Sequence, residues 1–403
     1  MNEAHPVTEA GSTPAEEAPR SRAPLVWLVL PLAVLALAVA WLVAADPLRS
    51  FDNGAPPVEN LTFERTVLSS GGIDLLVRAG GSEPMTIAQV LVDDAYWEFS
   101  QDPSGPLARG ETAWIHLPYP WVQGEAHAVK IITNTGATFE HEIPVAVPTP
   151  VPTTGSLVNQ ALLGAFVGIV PVAIGLMFYP ALRGIGRGGM NFLLAMTVGL
   201  LVFLMIDAGG EAFELADEAA AIFQGQVMVV LAAAASFLLL MAIGRRDGRP
   251  AGLALATFIA LGIGLHNLGE GLAIGAAFAS GAAGLGTFLV LGFTLHNITE
   301  GIGIAAPMLK GRPALWIFPA LTLLAGGPAV LGLWIGSLAH APQWSALALA
   351  IGAGAILQVV IEVAAYLMKS DGRGVAALSS WPVLSGAAFG VAFMYATAML
   401  VKI

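Results

Sequence analysis

Long apolar segments recur along this chain of 403 residues and constrain its fold more than any other feature. A helix needs about 20 mostly apolar residues to cross the hydrocarbon core of a bilayer. Hydrophobic residues make up 56% of the chain and charged residues only 11%, which is typical of an integral membrane protein. The segments that predict transmembrane helices are 23–45, 157–182, 189–208, 226–244, 252–279, 284–308, 314–338, 345–368 and 380–401.

The first apolar segment follows a polar N-terminal stretch. Residues 1–22 are rich in Pro, Ala, Glu and Ser, which predicts a disordered cytoplasmic tail. The apolar run 23–45 is longer than the core of a signal peptide and begins well inside the chain, so we predict an uncleaved transmembrane anchor. Cleavage before Asp46 is the alternative that the sequence leaves open.

Residues 46–147 differ in composition from the rest of the chain. Short runs such as Ile73–Arg78 and Thr112–Leu117 alternate apolar and polar residues, and turns rich in Gly, Asp and Asn separate them. About seven such strands in about 100 residues predict an all-β, immunoglobulin-like domain. The stretch 148–156, which is rich in Pro and Thr, is then a stiff linker to a helical domain at 157–403.

The basic residues between the predicted helices predict the orientation of the chain. If the N-terminus is cytoplasmic, the cytoplasmic loops contain Lys or Arg and the outer loops between the helices of the 157–403 domain contain none, as the positive-inside rule requires. This predicts a multi-pass plasma-membrane protein whose β domain and C-terminus are extracytoplasmic. The residues that carry the prediction are Arg183, Arg187, Arg245, Arg246, Arg249, Lys310, Arg312, Lys369 and Arg373.

Composition disfavours several classes of function. The chain has no cysteine, so it has neither disulfides nor thiolate metal ligands. Its net charge of −11 and its scattered basic residues do not favour a nucleic-acid partner. It contains no GxxxxGK(S/T) phosphate-binding loop, so nothing in it points to ATP-driven transport.

One polar motif occurs twice, in two consecutive apolar segments. His-Asn-Leu-Gly-Glu-Gly begins at His266, and His-Asn-Ile-Thr-Glu-Gly begins at His296. On a helix the His and the Glu of each copy share a face, because residues four apart lie one above the other. Both copies lie about halfway along their segments, so we predict one site near the middle of the membrane. Its members are His266, Asn267, Glu270, His296, Asn297 and Glu300.

A bound metal ion would account for the two glutamates of this site. A carboxylate at the middle of a bilayer costs about 2.5–3.5 kcal/mol to insert, so it needs a positive partner. Between Pro250 and Met368 the only basic residues are Lys310 and Arg312, which share one loop. Mixed imidazole and oxygen ligands suit zinc, iron, manganese or cobalt, whereas calcium and magnesium sites use oxygens alone. The alternative is that these polar residues only join the two helices.

At these residues the chain resembles the ZIP (Zrt-, Irt-like protein) family of divalent metal transporters, which carry an H-N-x-x-E-G element in their fourth and fifth transmembrane helices. The resemblance extends from about Leu157 to the C-terminus. It implies an all-α polytopic protein with an eight-helix core, here preceded by one anchor helix, and a transport site at the six motif positions that works by alternating access.

The chain departs from the family pattern at two places. Gly269 and Thr299 replace a proline that many members have, and Gly327 replaces a metal-ligating glutamate.

Glu362 is a further carboxylate inside a predicted transmembrane segment. Gln358 lies one turn before it on the same helical face. The family's seventh helix also carries an acidic residue, and a carboxylate in lipid is functional by default. We therefore predict that Glu362 belongs to the metal pathway or is an accessory metal ligand.

Two polar groups outside this site have competing interpretations. Four acidic residues spaced 4, 3 and 4 apart form a helical stripe, either a funnel that attracts cations or a solvated helix end. In the β domain, strand alternation turns Glu140 and Glu142 away from His141, which favours ordinary surface placement over metal capture. The stripe is Asp207, Glu211, Glu214 and Glu218, and the other β-domain histidines are His116 and His127.

The resulting prediction is a secondary transporter that moves divalent transition metal ions toward the cytoplasm, with zinc first and iron, manganese or cobalt as alternatives. It is not predicted to be an enzyme or to need a cofactor, and its partners are the metal ion and the lipid bilayer. Whether it forms a homodimer stays open. The rival classes are an intramembrane zinc-dependent hydrolase, disfavoured by the lack of an H-E-x-x-H motif, and a metal-sensing receptor with the β domain as its output.

Overall fold

The computed structural model describes residues 25–45, 57–149, 153–246, 248, 250–279, 283–338, 341–370, 372 and 374–401. Its contacts divide the chain into two units, Met1–Pro56 and Pro57–Ile403. In the first unit the described residues form one helix, α1, at Leu25–Ala45, which coincides with the predicted anchor. The predicted tail, 1–22, and part of the predicted linker, 150–152, lie outside the described residues.

The second unit begins with two antiparallel four-stranded sheets. Their strand orders are β1-β2-β6-β5 and β4-β3-β7-β8. The eight strands are β1 Leu61–Ser69, β2 Gly72–Ala79, β3 Ile87–Val92, β4 Ala95–Trp97, β5 Ser100–Asp102, β6 Thr112–Leu117, β7 His127–Thr133 and β8 Thr138–Ile143.

The two sheets share one apolar core, which is formed by the inward-facing residues of their strands. In β2, β6 and β7 every second residue is buried, as the period of a half-buried strand requires. Ile73 and Ile115 from one sheet pack in the same cluster as Val129 and Ile131 from the other. The predicted β region is therefore present, with eight strands in its described residues, 57–147, where about seven are expected from the sequence.

Helices make up the rest of the unit. Thr153 begins the first of them with a capping box, in which its side chain accepts from the Ser156 backbone and Ser156 bonds back. The helices are α2 Thr154–Gly164, a π-helical segment Ala165–Ile169, α3 Val170–Met177, α4 Tyr179–Leu182, α5 Arg187–Glu218, α6 Gly225–Gly244, α7 Leu253–Ala279, α8 Ala283–Ala305, α9 Ile317–Leu338, α10 Pro342–Ser370 and α11 Trp381–Val401. Short 3₁₀ turns lie at Ala221–Phe223, Ala306–Met308 and Gly374–Ser379.

Among the described residues, seven helical segments are long and apolar enough to cross a membrane, so the chain is a multi-pass membrane protein. They are Thr154–Leu182, Arg187–Glu218, Ala221–Gly244, Leu253–Ala279, Ile317–Leu338, Pro342–Lys369 and Trp381–Met399. Each overlaps one of the segments predicted from hydropathy. Helices α1 and α8 also lie where helices are predicted, and their crossing of the membrane stays a prediction.

Small residues allow α7 and α9 to pack closely together. A Cβ built on Gly271 of α7 would lie 2.2 Å from the carbonyl oxygen of Ala329, and one on Gly332 of α9 would lie 2.1 Å from that of Leu268. Membrane helices use such small residues because close backbone approach maximises van der Waals contact where no hydrophobic force draws helices together. This pairing fixes the position of the first copy of the motif relative to α9.

A buried ion pair between β1 and β2 also contacts the helical part of the chain. Glu64 of β1 is 6% exposed and receives hydrogen bonds from the Arg78 guanidinium at 2.6 and 3.1 Å. The Gln343 side-chain amide at the start of α10 donates to the same carboxylate at 3.1 Å. Arg78 also lies over the Phe223 ring, 5.3 Å from its centroid. The sheets therefore contact α10 and the turn before α6 through desolvated groups.

Candidate functional site

The two copies of the motif meet at the Glu270 carboxylate. Helices α7 and α8 run unbroken through Gly269 and Thr299, so the His and the Glu of each copy keep a common face. Glu270 Oε1 lies 3.1 Å from His266 Nε2 on its own helix and 2.7 Å from His296 Nε2 on α8. All three side chains are at most 5% exposed. One carboxylate thus joins two imidazoles in the interior of the helical unit.

Glu300 lies in the same buried group, close to the side-chain amide of Asn267. It is 1% exposed, and neither of its carboxylate oxygens makes a well-aligned hydrogen bond with another residue that the structure describes. One ligand atom each from His266, His296 and Glu300 lie within 4.8 Å of one another. In the described part of the chain this is the one set of three or more His, Asp or Glu side chains with metal-ligand spacing.

Backbone carbonyls orient the two motif asparagines. Asn267 Nδ2 donates to the Ala325 carbonyl of α9 at 3.0 Å, and Asn297 Nδ2 donates to the Val167 carbonyl of the π-helical segment at 3.0 Å. Because only the NH₂ end of the amide can donate, these bonds fix which end of each side chain is the oxygen. Both Oδ1 atoms are buried and have no partner within the described ranges, so they remain available as ligands.

The Val167 carbonyl is available because the helix is irregular at that point. In a regular α-helix its donor would be the N–H of the residue four positions later, and that residue is Pro171, which has none. The chain forms a π-helical turn at Ala165–Ile169 instead. Such turns often occur at functional sites because they free backbone groups. Pro328 lies within α9 and removes the donor of the Leu324 carbonyl, next to the Ala325 carbonyl that accepts from Asn267.

The two acceptor carbonyls lie next to one helix crossing. A Cβ built on Gly168 would lie 2.3 Å from the Gly326 carbonyl oxygen, and one built on Gly326 would lie 2.5 Å from that of Gly168. The residues that precede these glycines, Val167 and Ala325, are the ones that accept from Asn297 and Asn267. A single backbone contact therefore supports both asparagines. The motif predicts none of these four backbone positions, although Pro171 and Pro328 mark both helices in the sequence.

Glu362, the remaining predicted ligand, lies apart from this group. Gly352 of α10 abuts His266, since a Cβ there would lie 3.2 Å from the His266 Cα. Glu362 follows ten residues later, about 15 Å further along the helix. There its Oε1 pairs at 2.7 Å with Nε of Arg245, the residue that follows α6. The structure therefore brings six of the seven predicted residues together and leaves Glu362 beside a cation of the protein's own.

The acidic stripe lies on a continuous helix beside the site. Helix α5 extends to Glu218, ten residues beyond the predicted end. Its buried face packs Ala212 with Leu349 of α10, and Leu349 in turn meets Gly269 of the first motif. Glu211 is exposed and close enough to His266 and Glu270 for their charges to interact. This placement is compatible with the funnel interpretation.

The β-domain histidines each have a separate partner. His127 Nδ1 and His116 Nδ1 lie 2.8 Å from carboxylate oxygens of Asp93 and Asp74. Burial alone would raise the pKa of Asp93, but hydrogen bonds from His127 and its other donors outweigh it, so the pKa lies below its usual 3.8. His141 stacks on Phe63, and burial lowers the pKa of its imidazole. The structure does not collect these histidines into one site.

The fold and the site together define a multi-pass membrane protein with a buried cluster of two histidines, two glutamates and two asparagines between helices. No protein-family model matches the chain, and no curated protein sequence matches it.

Proposed function

We propose that the chain is a ZIP-type transporter that moves divalent transition metal ions across the plasma membrane through the cluster at His266, Glu270, His296 and Glu300. The observation that carries this proposal is Glu300. A carboxyl group that is 1% exposed and makes no well-aligned hydrogen bond with the described residues needs a proton or a metal cation at its oxygens, and in the proposed site a metal ion supplies that charge.

The charge of the cluster matches one dication. With both glutamates ionised and both imidazoles neutral, the group carries two negative charges. A monovalent cation would leave one of them uncompensated. Nitrogen and oxygen ligands together favour zinc, and then iron, manganese or cobalt, over calcium and magnesium. Mixed ligands also allow a site weak enough to release its ion, as transport requires.

The hydrogen bonds of His266 suit a metal ligand. Its Nε2 lies 3.1 Å from Glu270 Oε1, while its Nδ1 is buried and without a partner in the described part of the chain. Metal-ligating histidines usually donate one ring N–H to a carboxylate, which fixes the tautomer and makes the other nitrogen more basic. In the proposed site Glu270 holds the imidazoles, Glu300 supplies an open carboxylate, and Asn267 and Asn297 offer amide oxygens.

The proposal includes the orientation and the finer architecture. Its eight-helix core is preceded by an anchor helix, the N-terminus is cytoplasmic, and the immunoglobulin-like β domain and the C-terminus are extracytoplasmic. The positive-inside distribution of Lys and Arg supports this orientation. The exposed carboxylates of α5 then attract cations to the outer end of the site, and the ion moves toward the cytoplasm.

Metal flux into vesicles containing the purified chain tests the proposal. Zinc, iron, manganese and cobalt should enter such vesicles, whereas calcium and magnesium should not. Empty vesicles and vesicles with a protein of unrelated fold provide the background. Folded, inserted protein that carries none of these ions would contradict transport and would leave the hydrolase and receptor classes as the alternatives.

A further inference from the structure

One ion pair lies at the end of α6, between the motif cluster and the nearby loop. Arg245 Nε and Glu362 Oε1 are 2.7 Å apart. The Glu362 side chain is 2% exposed, whereas that of Arg245 is 38% exposed. The carboxylate is therefore desolvated, while its cationic partner reaches it from the water side on a long, flexible side chain.

A fully buried amide lies directly behind this pair. Gln358 is 0% exposed, and neither its Nε2 nor its Oε1 has a hydrogen-bond partner among the described residues. It lies one turn before Glu362 on α10, and a Cβ built on Gly244 would lie 3.6 Å from its Nε2. A buried amide without partners is costly, so this position is suited to a group that is used in another conformation.

Gln358 and Glu362 share the face of α10 that packs on α6, where a Cβ built on Gly354 would lie 2.1 Å from the Ala233 carbonyl oxygen. Gly352 touches the backbone of His266, Gln358 follows about 9 Å further along the helix, and Glu362 about 15 Å further. On the α7 side, the intervening space is filled by apolar packing, in which Val359 meets Gly262. In the present conformation this apolar packing and the ion pair lie between the level of His266 and the loop that follows Gly244.

We propose that the Arg245–Glu362 ion pair is a gate at this end of the transport route, and this proposal rests on the proposed function. Arg245 is a tethered cation that neutralises Glu362 while the route is closed. A guanidinium cannot lose its proton, so the gate opens only when Arg245 moves into water. The bare carboxylate then needs another cation, and a dication that leaves the motif cluster supplies it. Glu362 thus has a cationic partner in both conformations: Arg245 in the closed one and the dication in the open one.

The gate can be tested without transport, because the native chain has no cysteine. A Gln358→Cys substitution places a reporter behind the ion pair, and its reaction with a charged thiol reagent is measured on the full chain in lipid nanodiscs, where both faces are accessible. Arg245→Gln should raise the labelling rate about tenfold or more, since opening no longer breaks a buried ion pair. Glu362→Gln should have the same effect, and the double variant should add little.

Two controls separate a gate from general loosening of the fold. Arg246→Gln changes the neighbouring arginine, which forms no ion pair among the described residues, and should leave the rate unchanged. A reporter at Ala195, buried in the apolar core, should stay unreactive in Arg245→Gln. The exchange Arg245→Glu with Glu362→Arg should restore slow labelling. An unchanged rate in Arg245→Gln, or an equal increase at both reporters, would overturn the gate whether or not the chain transports metal.

Discussion

The side-chain amide of Asn297 donates a 3.0 Å hydrogen bond to the backbone carbonyl of Val167, which belongs to a different helix. Asn267 makes the equivalent bond to Ala325. The two acceptors lie beside the Gly168–Gly326 contact, so the backbone of two other helices orients the polar motif. If the two helices move at this crossing, we expect the side chains of Asn267 and Asn297 to be reoriented, although the crossing itself contains none of the proposed ligands.

The first prediction concerns this crossing. Gly326→Ala places a methyl group 2.5 Å from the Gly168 carbonyl oxygen, so the helices must separate, at a cost of about 1–3 kcal/mol. Metal affinity should fall about tenfold, as it does when groups that orient a ligand are disturbed. Gly327→Ala is the matched control, because nothing lies within 4 Å of its Cβ. Isothermal titration with zinc measures both. Equal affinities in the two variants would show that the crossing does not support the site.

The sequence predicts the helices and the motif cluster well, because both have local signals. Hydropathy locates each helix within a few residues, except that α5 continues through its acidic stretch to Glu218, where charge lowers hydropathy without stopping the helix. The repeated motif brings its members together because two adjacent helices carry it at one depth. By contrast, the pairs Asn297–Val167 and Arg245–Glu362 join positions 130 and 117 residues apart. Such pairs depend on helix packing, and no local pattern encodes them.

The second prediction concerns the contact between sheets and helices. Arg78→Ala leaves Glu64 buried without its cation. This should lower the free energy of unfolding of the β sheets by about 3–5 kcal/mol. Thermal unfolding and protease sensitivity of the β sheets measure the loss. Lys130→Ala removes a pair with the exposed Asp94 and should change neither. Similar behaviour of the two variants would mean that Arg78 is not a structural link.

The third prediction concerns orientation, and it uses the absence of native cysteines. A cysteine at Asp247, between α6 and α7 in the sequence, should resist an impermeant thiol reagent added to intact cells, because the proposed topology places the neighbouring arginines on the cytoplasmic side. A cysteine at the exposed Glu125 of the β domain should react. Labelling at Asp247 from outside would reverse the proposed topology.

The fourth prediction concerns the number of ions. Two dications about 4 Å apart repel by roughly 16 kcal/mol at an effective dielectric constant of 20, so closely spaced ions need additional carboxylates. Glu270 and Glu300 neutralise one dication, and Gly327 adds no charge. Anomalous diffraction should therefore find one ion in the native chain. Gly327→Glu has room for its Cβ and should admit a second. Two well-occupied ions in the native site would refute this stoichiometry.

The most direct test of metal transport through the motif cluster is zinc uptake by vesicles that contain Glu270→Gln or Glu300→Gln. Each substitution keeps the shape of the side chain and removes its charge. Both variants should stay folded and inserted while uptake falls to the background of empty vesicles, because the ion loses half of its compensating charge. Glu125→Gln, on the surface of the β domain, should transport at the native rate. Uptake near the native rate in both motif variants would contradict the account.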